Sequence, residues 1–201
     1  LLRLGWGHEN EEIITRKQAI ALFEIDAVGK SPSRFDIKKL DNINSKYMRE
    51  MSEARLFNLL ETHLLKNRNV TLDPIKLERL KRGLSGLKLR AKNINELAAS
   101  AMIYIVSPSI NMDEKADSIL SKDARQLIGG LLKPFNELTN WNKTEIEETL
   151  KNFATCRDIK FGSVAQPLRA ALTGTTSSPD IFEVIEILGK EEVVQRIEAV
   201  C

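Results

Sequence analysis

Apolar residues recur three and four positions apart along most of the chain, the spacing of a helix with one buried face. No alternating apolar–polar run persists long enough to make a sheet, so the pattern predicts an all-α protein. The first helix is expected from a cap at Thr15 to about residue 23. Gly29-Lys30-Ser31-Pro32-Ser33 is a turn-rich break. Asp36 is placed to cap a helix carrying Ile37, Leu40, Ile43, Tyr47 and Met48. Ser52-Glu53 begins another with Leu56, Leu59, Leu60 and Leu64, and Asp73-Pro74 reads as a cap followed by a first-turn proline. The most apolar segment is 94–106, ended by Ser107-Pro108. Later helices are expected over about 121–138, 142–157, 162–173, 179–188 and 190–200.

The last three of these take in the segment Ala165 to Val193, AQPLRAALTGTTSSPDIFEVIEILGKEEV. Gln166-Pro167 looks like a helix opening, because proline is tolerated where its missing N–H is not needed. Gly174 looks like a stop, and Thr175, Thr176, Ser177 and Ser178 form a hydroxyl-rich connector. Pro179-Asp180 then starts a helix with Ile181, Val184, Ile185 and Leu188 on its apolar face, closed by Gly189. Hydroxyls, the Gln166 amide and the Arg169 guanidinium around such a turn can meet an unstacked base. The same residues also describe an ordinary pair of packed helices with a solvated arginine.

Composition narrows the class. With 201 residues, 42% hydrophobic and 29% charged, the chain suits a soluble globular protein of one or two domains. It has no apolar run of membrane-spanning length. Two cysteines make a disulfide framework improbable and fit a reducing, cytoplasmic setting. The net charge of +2 hides an asymmetry. Residues 30–92 hold 16 Lys and Arg against 7 Asp and Glu, a net of +9, and the remainder holds 14 against 21, a net of −7. A basic half of this kind suits a polyanion.

Catalytic signals are missing. Gly29-Lys30-Ser31 ends like a phosphate-binding loop, but Glu24 stands where that loop needs its first glycine. His8 and His63 are the only histidines and lie far apart, so neither a metal centre nor a histidine acid–base pair is expected. Scattered carboxylates form no constellation, and no catalytic residue is assigned.

The segment 165–193 resembles the carboxy-terminal signature of bacterial glutamyl-tRNA synthetases, class I aminoacyl-tRNA synthetases. The similarity covers nearly the whole chain. LLRLGWG with Glu12-Ile13, then Lys30-Ser31-Pro32, Phe35-Asp36, Lys39-Leu40, Asn44, Lys46-Tyr47 and Arg49, resembles the segment after the family's catalytic domain. The family's Trp-x-Asn is Asn42-Ile43-Asn44 here. The start at Leu-Leu-Arg without Met reads as a piece of a longer protein. The resemblance implies three regions: a stem-contact region at 1–51, and helical anticodon-binding subdomains at 52–106 and 107–201. It implies that Lys39 and Arg49 face tRNA, and that Gln166, Arg169, Thr176, Ser178 and Phe182 line an anticodon pocket. Arg90 matches an arginine that reads the third anticodon base, with Lys88 as the neighbouring alternative and Leu89 in place of a family proline. Arg169→Ala is accordingly expected to weaken RNA binding and leave folding almost untouched. The parent would use ATP and magnesium to attach glutamate to its tRNA, with no site for either in this chain. It would be a monomer, and glutamine tRNA is a possible second partner. The competing readings are a helical protein-interaction module without RNA, and a stand-alone enzyme, which the missing catalytic cluster disfavours.

Overall fold

The computed structural model describes residues 5–7, 13–30, 32, 34–106 and 111–201. The described residues contain helices and connecting turns and no strand, an all-α fold. They divide into two compact units, 1–50 and 51–201.

In the first unit, α1 (Arg16–Leu22) starts at a capping box: Thr15 accepts from the Gln18 N–H, and the Gln18 side chain accepts from the Thr15 N–H. A single 3₁₀ turn covers Ile25–Ala27. The next helix, α2 (Ile37–Glu50), begins where the Asp36 carboxylate accepts from Lys38 and Lys39 N–H at 2.9 and 3.2 Å. Trp6 is buried and its ring meets Phe23 at 5.7 Å.

In the second unit, α3 (Glu53–Arg68), α4 (Pro74–Lys88) and α5 (Ile94–Ile105) pack on one another. Their apolar stripes meet through Leu56, Leu60, Leu64, Leu80, Leu84 and Leu97, all buried. Asp73 caps α4 at 2.8 Å from Lys76 N, with Pro74 in the first turn. Gly83 lets α4 lie flat on the Tyr104 ring; a Cβ there would stand 2.1 Å from Tyr104 Cε2. The ring is fully buried and has nowhere to go. Gly83→Ala should therefore cost about 1–3 kcal/mol through overpacking, read as a lower urea midpoint. An unchanged midpoint would show that this seam is loose. The Tyr104 hydroxyl has no hydrogen-bond partner, and burial pushes its pKa well above the usual tyrosine value.

The rest of the unit is built around α10 (Phe161–Thr173), which packs against α6 (Glu114–Ile119), α7 (Lys122–Gly129), α9 (Lys143–Thr155) and α12 (Lys190–Val200). A short α8 (Leu132–Glu137) lies against α9 and α12. The remaining helix, α11 (Ile181–Leu188), touches α9, α12 and α4, and so links the α10 cluster to the α3–α5 bundle.

Three details depart from the sequence reading. Residues 121–138 form two helices, because the chain turns at Gly130-Leu131. A short helix at 114–119, capped by Asp113, had no visible apolar period. Pro167 lies inside α10 and does not open it. The carbonyl its missing N–H would have served belongs to Ser163, which is exposed and so open to water. The boundary expected at Ser107-Pro108 lies outside the described residues.

One polar cluster joins the C-terminal helix to both bundles. Arg196 is 1% exposed. Its Nε donates to Glu192 Oε1 at 2.7 Å, its Nη1 to the Leu172 carbonyl at 2.6 Å, and its Nη2 to the Val106 carbonyl at 2.6 Å. Arg79 on α4 donates to the other Glu192 oxygen at 3.1 Å.

Candidate nucleic-acid interface

The site grows from the end of α10. Gly174 adopts φ 68°, the left-handed region that glycine reaches without strain, and turns the chain away from the helix. The connector then folds on its own hydroxyls. Thr173 Oγ1 donates back to the Arg169 carbonyl at 2.8 Å, and Thr175 Oγ1 accepts from Ser177 N–H at 3.1 Å. Asp113 N–H donates to the Gly174 carbonyl at 2.9 Å and fixes the approach to α6. Asp180 caps α11, and its carboxylate meets Lys143 Nζ at 2.6 Å.

Arg169 holds this turn from below. Its Nη1 lies 3.1 Å from the Ser178 carbonyl and 2.7 Å from the Pro179 carbonyl, and it also donates to Ser178 Oγ. Ser178 is itself 4% exposed, so its hydroxyl is committed to the turn. The hydroxyls left toward solvent are those of Thr176 and Ser177.

The turn forms one wall of a cavity of about 700 Å³. Arg68, Arg90 and Met102 of the α3–α5 bundle face Thr175, Ser177 and Pro179 across it. Arg90 Nη1 donates to Ser177 Oγ at 3.3 Å, a bond between residues 87 apart in sequence. Lys88, the neighbouring alternative, points elsewhere: its Nζ donates to the Met51 carbonyl at 2.7 Å. Burial, then the nearby Arg90 cation, hold the Arg169 guanidinium below the usual arginine value, with Asp180 opposing them. Among the described residues neither Arg90 nor Arg169 forms a salt bridge with a carboxylate. Two arginines, Arg68 and Arg90, and the exposed Ser177 hydroxyl thus line a cleft with largely apolar walls that also carries Asp113, with Arg169 behind the turn, an arrangement suited to a ligand with an anionic group and a flat apolar face.

The residues expected from sequence are therefore distributed. Arg90 and Ser178 line the large cavity, and Arg169 supports its wall. Gln166 and Thr176 lie in a separate depression on the other side of the turn. Phe182 packs against Phe161 with ring centroids 5.7 Å apart, at the start of α11. Lys39 is half-buried and Arg49 exposed, both on α2 in the other unit. Ser177 and Arg68 were missed, because neither stands out from its neighbours until the fold brings the two bundles together. Among the described residues no group of three or more His, Cys, Asp or Glu could hold a metal ion, and no helix is long and apolar enough to cross a membrane.

Fold and site define an all-helical module whose cationic, hydroxyl-lined cleft is assembled from two packed bundles. Residues 55–201 match the model of the anticodon binding domain family, and the chain belongs to that family. It is 43% identical over 198 residues to glutamate–tRNA ligase 2 of Zymomonas mobilis, and 45% identical over 205 residues to glutamate–tRNA ligase 2 of Novosphingobium aromaticivorans. Those matches cover 98% of this chain and 41% and 40% of the relatives, so the chain spans about two-fifths of their length. The crystal structure of a glutamate tRNA ligase from Elizabethkingia meningosepticum superposes with a TM-score of 0.80 at 26% identity, over 98% of this chain and 38% of that one.

Proposed function

We propose that this chain is the tRNA-recognition portion of a glutamate–tRNA ligase and reads the anticodon of glutamate tRNA. The observation that carries this reading is the cavity that Arg90 lines with Arg68 and the Thr175 and Ser177 hydroxyls, backed by Arg169 behind the turn, with no salt bridge from Arg90 or Arg169 to a carboxylate among the described residues. The names of the relatives supply the substrate. The Arg90 guanidinium offers planar donors and no acceptor, so it suits a base edge that presents acceptors. Cytosine, the third anticodon base of glutamate tRNAs, presents a carbonyl and a ring nitrogen on its pairing edge. Guanine, the corresponding base of glutamine tRNAs, presents mainly donors there and is larger.

Phosphate contacts from the basic segment 30–92, with Lys39 and Arg49 on α2, position the RNA and carry no sequence information. In the parent, this binding sets the register that brings the acceptor end to a distant active site. Attachment of glutamate, with ATP and magnesium, belongs to a part of the parent other than this chain. Whether glutamine tRNA is also charged follows from how strictly the cavity refuses guanine.

A mobility-shift titration of this chain with glutamate tRNA and with an unrelated tRNA tests the reading. Tighter, salt-sensitive binding of glutamate tRNA is expected. Equal weak binding of both would favour a protein-interaction module instead.

A further inference from the structure

Helix α4 carries two glycines in its second half, Gly83 and Gly86, although glycine weakens a helix relative to alanine. Gly83 is explained by the Tyr104 ring packed on it. Gly86 follows three residues later and faces a different element. A Cβ at Gly86 would stand 3.1 Å from Pro179 Cβ, and 3.5 Å from both Pro179 Cγ and Glu183 Oε1. At 3.1 Å one side has to give by a few tenths of an ångström.

Pro179 is the side that resists. Its ring fixes φ, it is buried together with Ser178, and its carbonyl accepts from Arg169 at 2.7 Å. The movement therefore falls on α4. That helix is held further back, where Arg79 meets Glu192 at 3.1 Å and Arg82 meets Glu186 at 3.9 Å. Gly86 is then the last point at which α4 rests on α11 before the large cavity opens. Arg82 lies about 6 Å before Gly86 and Arg90 about 6 Å beyond it along the helix axis. A push at Gly86, pivoting at Arg82, is thus roughly doubled at Arg90. Arg90 moves with the helix end, because its N–H donates to the Leu87 carbonyl at 3.1 Å. Ser177, two residues before Pro179, stays with the turn, so the 3.3 Å gap between Arg90 Nη1 and Ser177 Oγ widens.

We infer that Gly86 is a specificity-determining residue, although it lies outside the cavity lining. Its missing side chain sets how closely the Arg90 wall approaches the Ser177 wall, and so excludes a purine where a pyrimidine fits. The inference rests on the anticodon reading above. It assigns part of the refusal of guanine to cavity width, beside the donor pattern of Arg90.

The test titrates two transcripts of glutamate tRNA, with C or G as the third anticodon base, against the native chain, Gly86→Ala and Gly86→Val. The C-over-G affinity ratio should fall several-fold in Gly86→Ala and further in Gly86→Val, with the G form bound at least as tightly as by the native chain. Gly162→Ala is the control: it is also a glycine-to-alanine change within a helix, but its Cβ meets nothing within 4 Å, so the native ratio should persist. Circular dichroism melting checks that each variant is folded at the titration temperature, and Gly86→Ala decides alone if Gly86→Val is not. If Gly86→Ala keeps the native ratio, or loses it only through weaker binding of the C form, Gly86 does not set the width and the anticodon reading stands. If the native chain itself shows no preference for C over G, both fall.

Discussion

Arg196→Ala should lower the stability of the chain by about 3–5 kcal/mol, the cost of removing one partner from a buried ion pair. The substitution removes three hydrogen bonds of one side chain. Glu192 keeps Arg79 but loses its Arg196 partner, and the Leu172 and Val106 carbonyls lose this donor. Those carbonyls sit at the ends of α10 and α5, so the loss falls where the C-terminal helix ties the two bundles together. For a chain of this length each kcal/mol moves the melting temperature by roughly 2–4 °C, so a drop on the order of 10 °C is expected. Arg196→Lys should recover little, because an ammonium cannot span three acceptors in the guanidinium plane. Replacing Glu192 and Arg196 together by methionine should cost less than Arg196→Ala alone, since the buried Glu192 charge is then not stranded and only the part-exposed Arg79 loses a partner. A melting temperature within a degree or two of the native value for Arg196→Ala would show that the cluster contributes no net stability.

The second large effect is at Arg169, where the structure changes the expectation drawn from sequence. An exposed base reader could be removed without consequence for folding. Arg169 instead holds the Ser178 and Pro179 carbonyls. Hydrogen bonds from a charged donor contribute about 1.5–3 kcal/mol; half-burial of Arg169 puts the loss at the lower end of that range. Arg169→Ala should therefore destabilise the chain measurably and also weaken glutamate-tRNA binding, by roughly 1–3 kcal/mol if the guanidinium also meets a base. Among the described residues its Nε and Nη2 have no protein partner, which leaves donors for that second role. Thermal unfolding and RNA titration of the same variant separate the two contributions. Full stability with lost binding would return Arg169 to a pure reader, and lost stability with native binding would make it purely structural.

What sequence disclosed here was local. Thr15, Asp36 and Asp73 cap helices because each side-chain oxygen lies within reach of an N–H two or three residues on, a fact of spacing alone. Gly174 and Gly189 stop helices because they adopt positive φ, which their neighbours do not. What sequence withheld depends on distant partners. Glu192 and Arg196, four apart on a polar helix, carry no local sign of burial; α4 and the Val106 carbonyl close over them only in the folded chain. Arg90 and Lys88 look equivalent in a lysine-rich stretch; only the folded chain sends one to Met51 and the other to Ser177. The separation of Thr176 from Thr175 and Ser177 is equally invisible, because four consecutive hydroxyl residues give no sign of which face they turn to.

The central claim is that Arg90, at the cavity beside Ser177, reads an anticodon base. The direct measurement compares two transcripts of glutamate tRNA that differ only in the third anticodon base, C or G, each titrated against the native chain and Arg90→Gln. The native chain should bind the C form more tightly by about 1–3 kcal/mol, the value of a good base contact, and Arg90→Gln should bring the two affinities together at unchanged stability. A C-over-G ratio that is the same in both proteins would contradict the assignment.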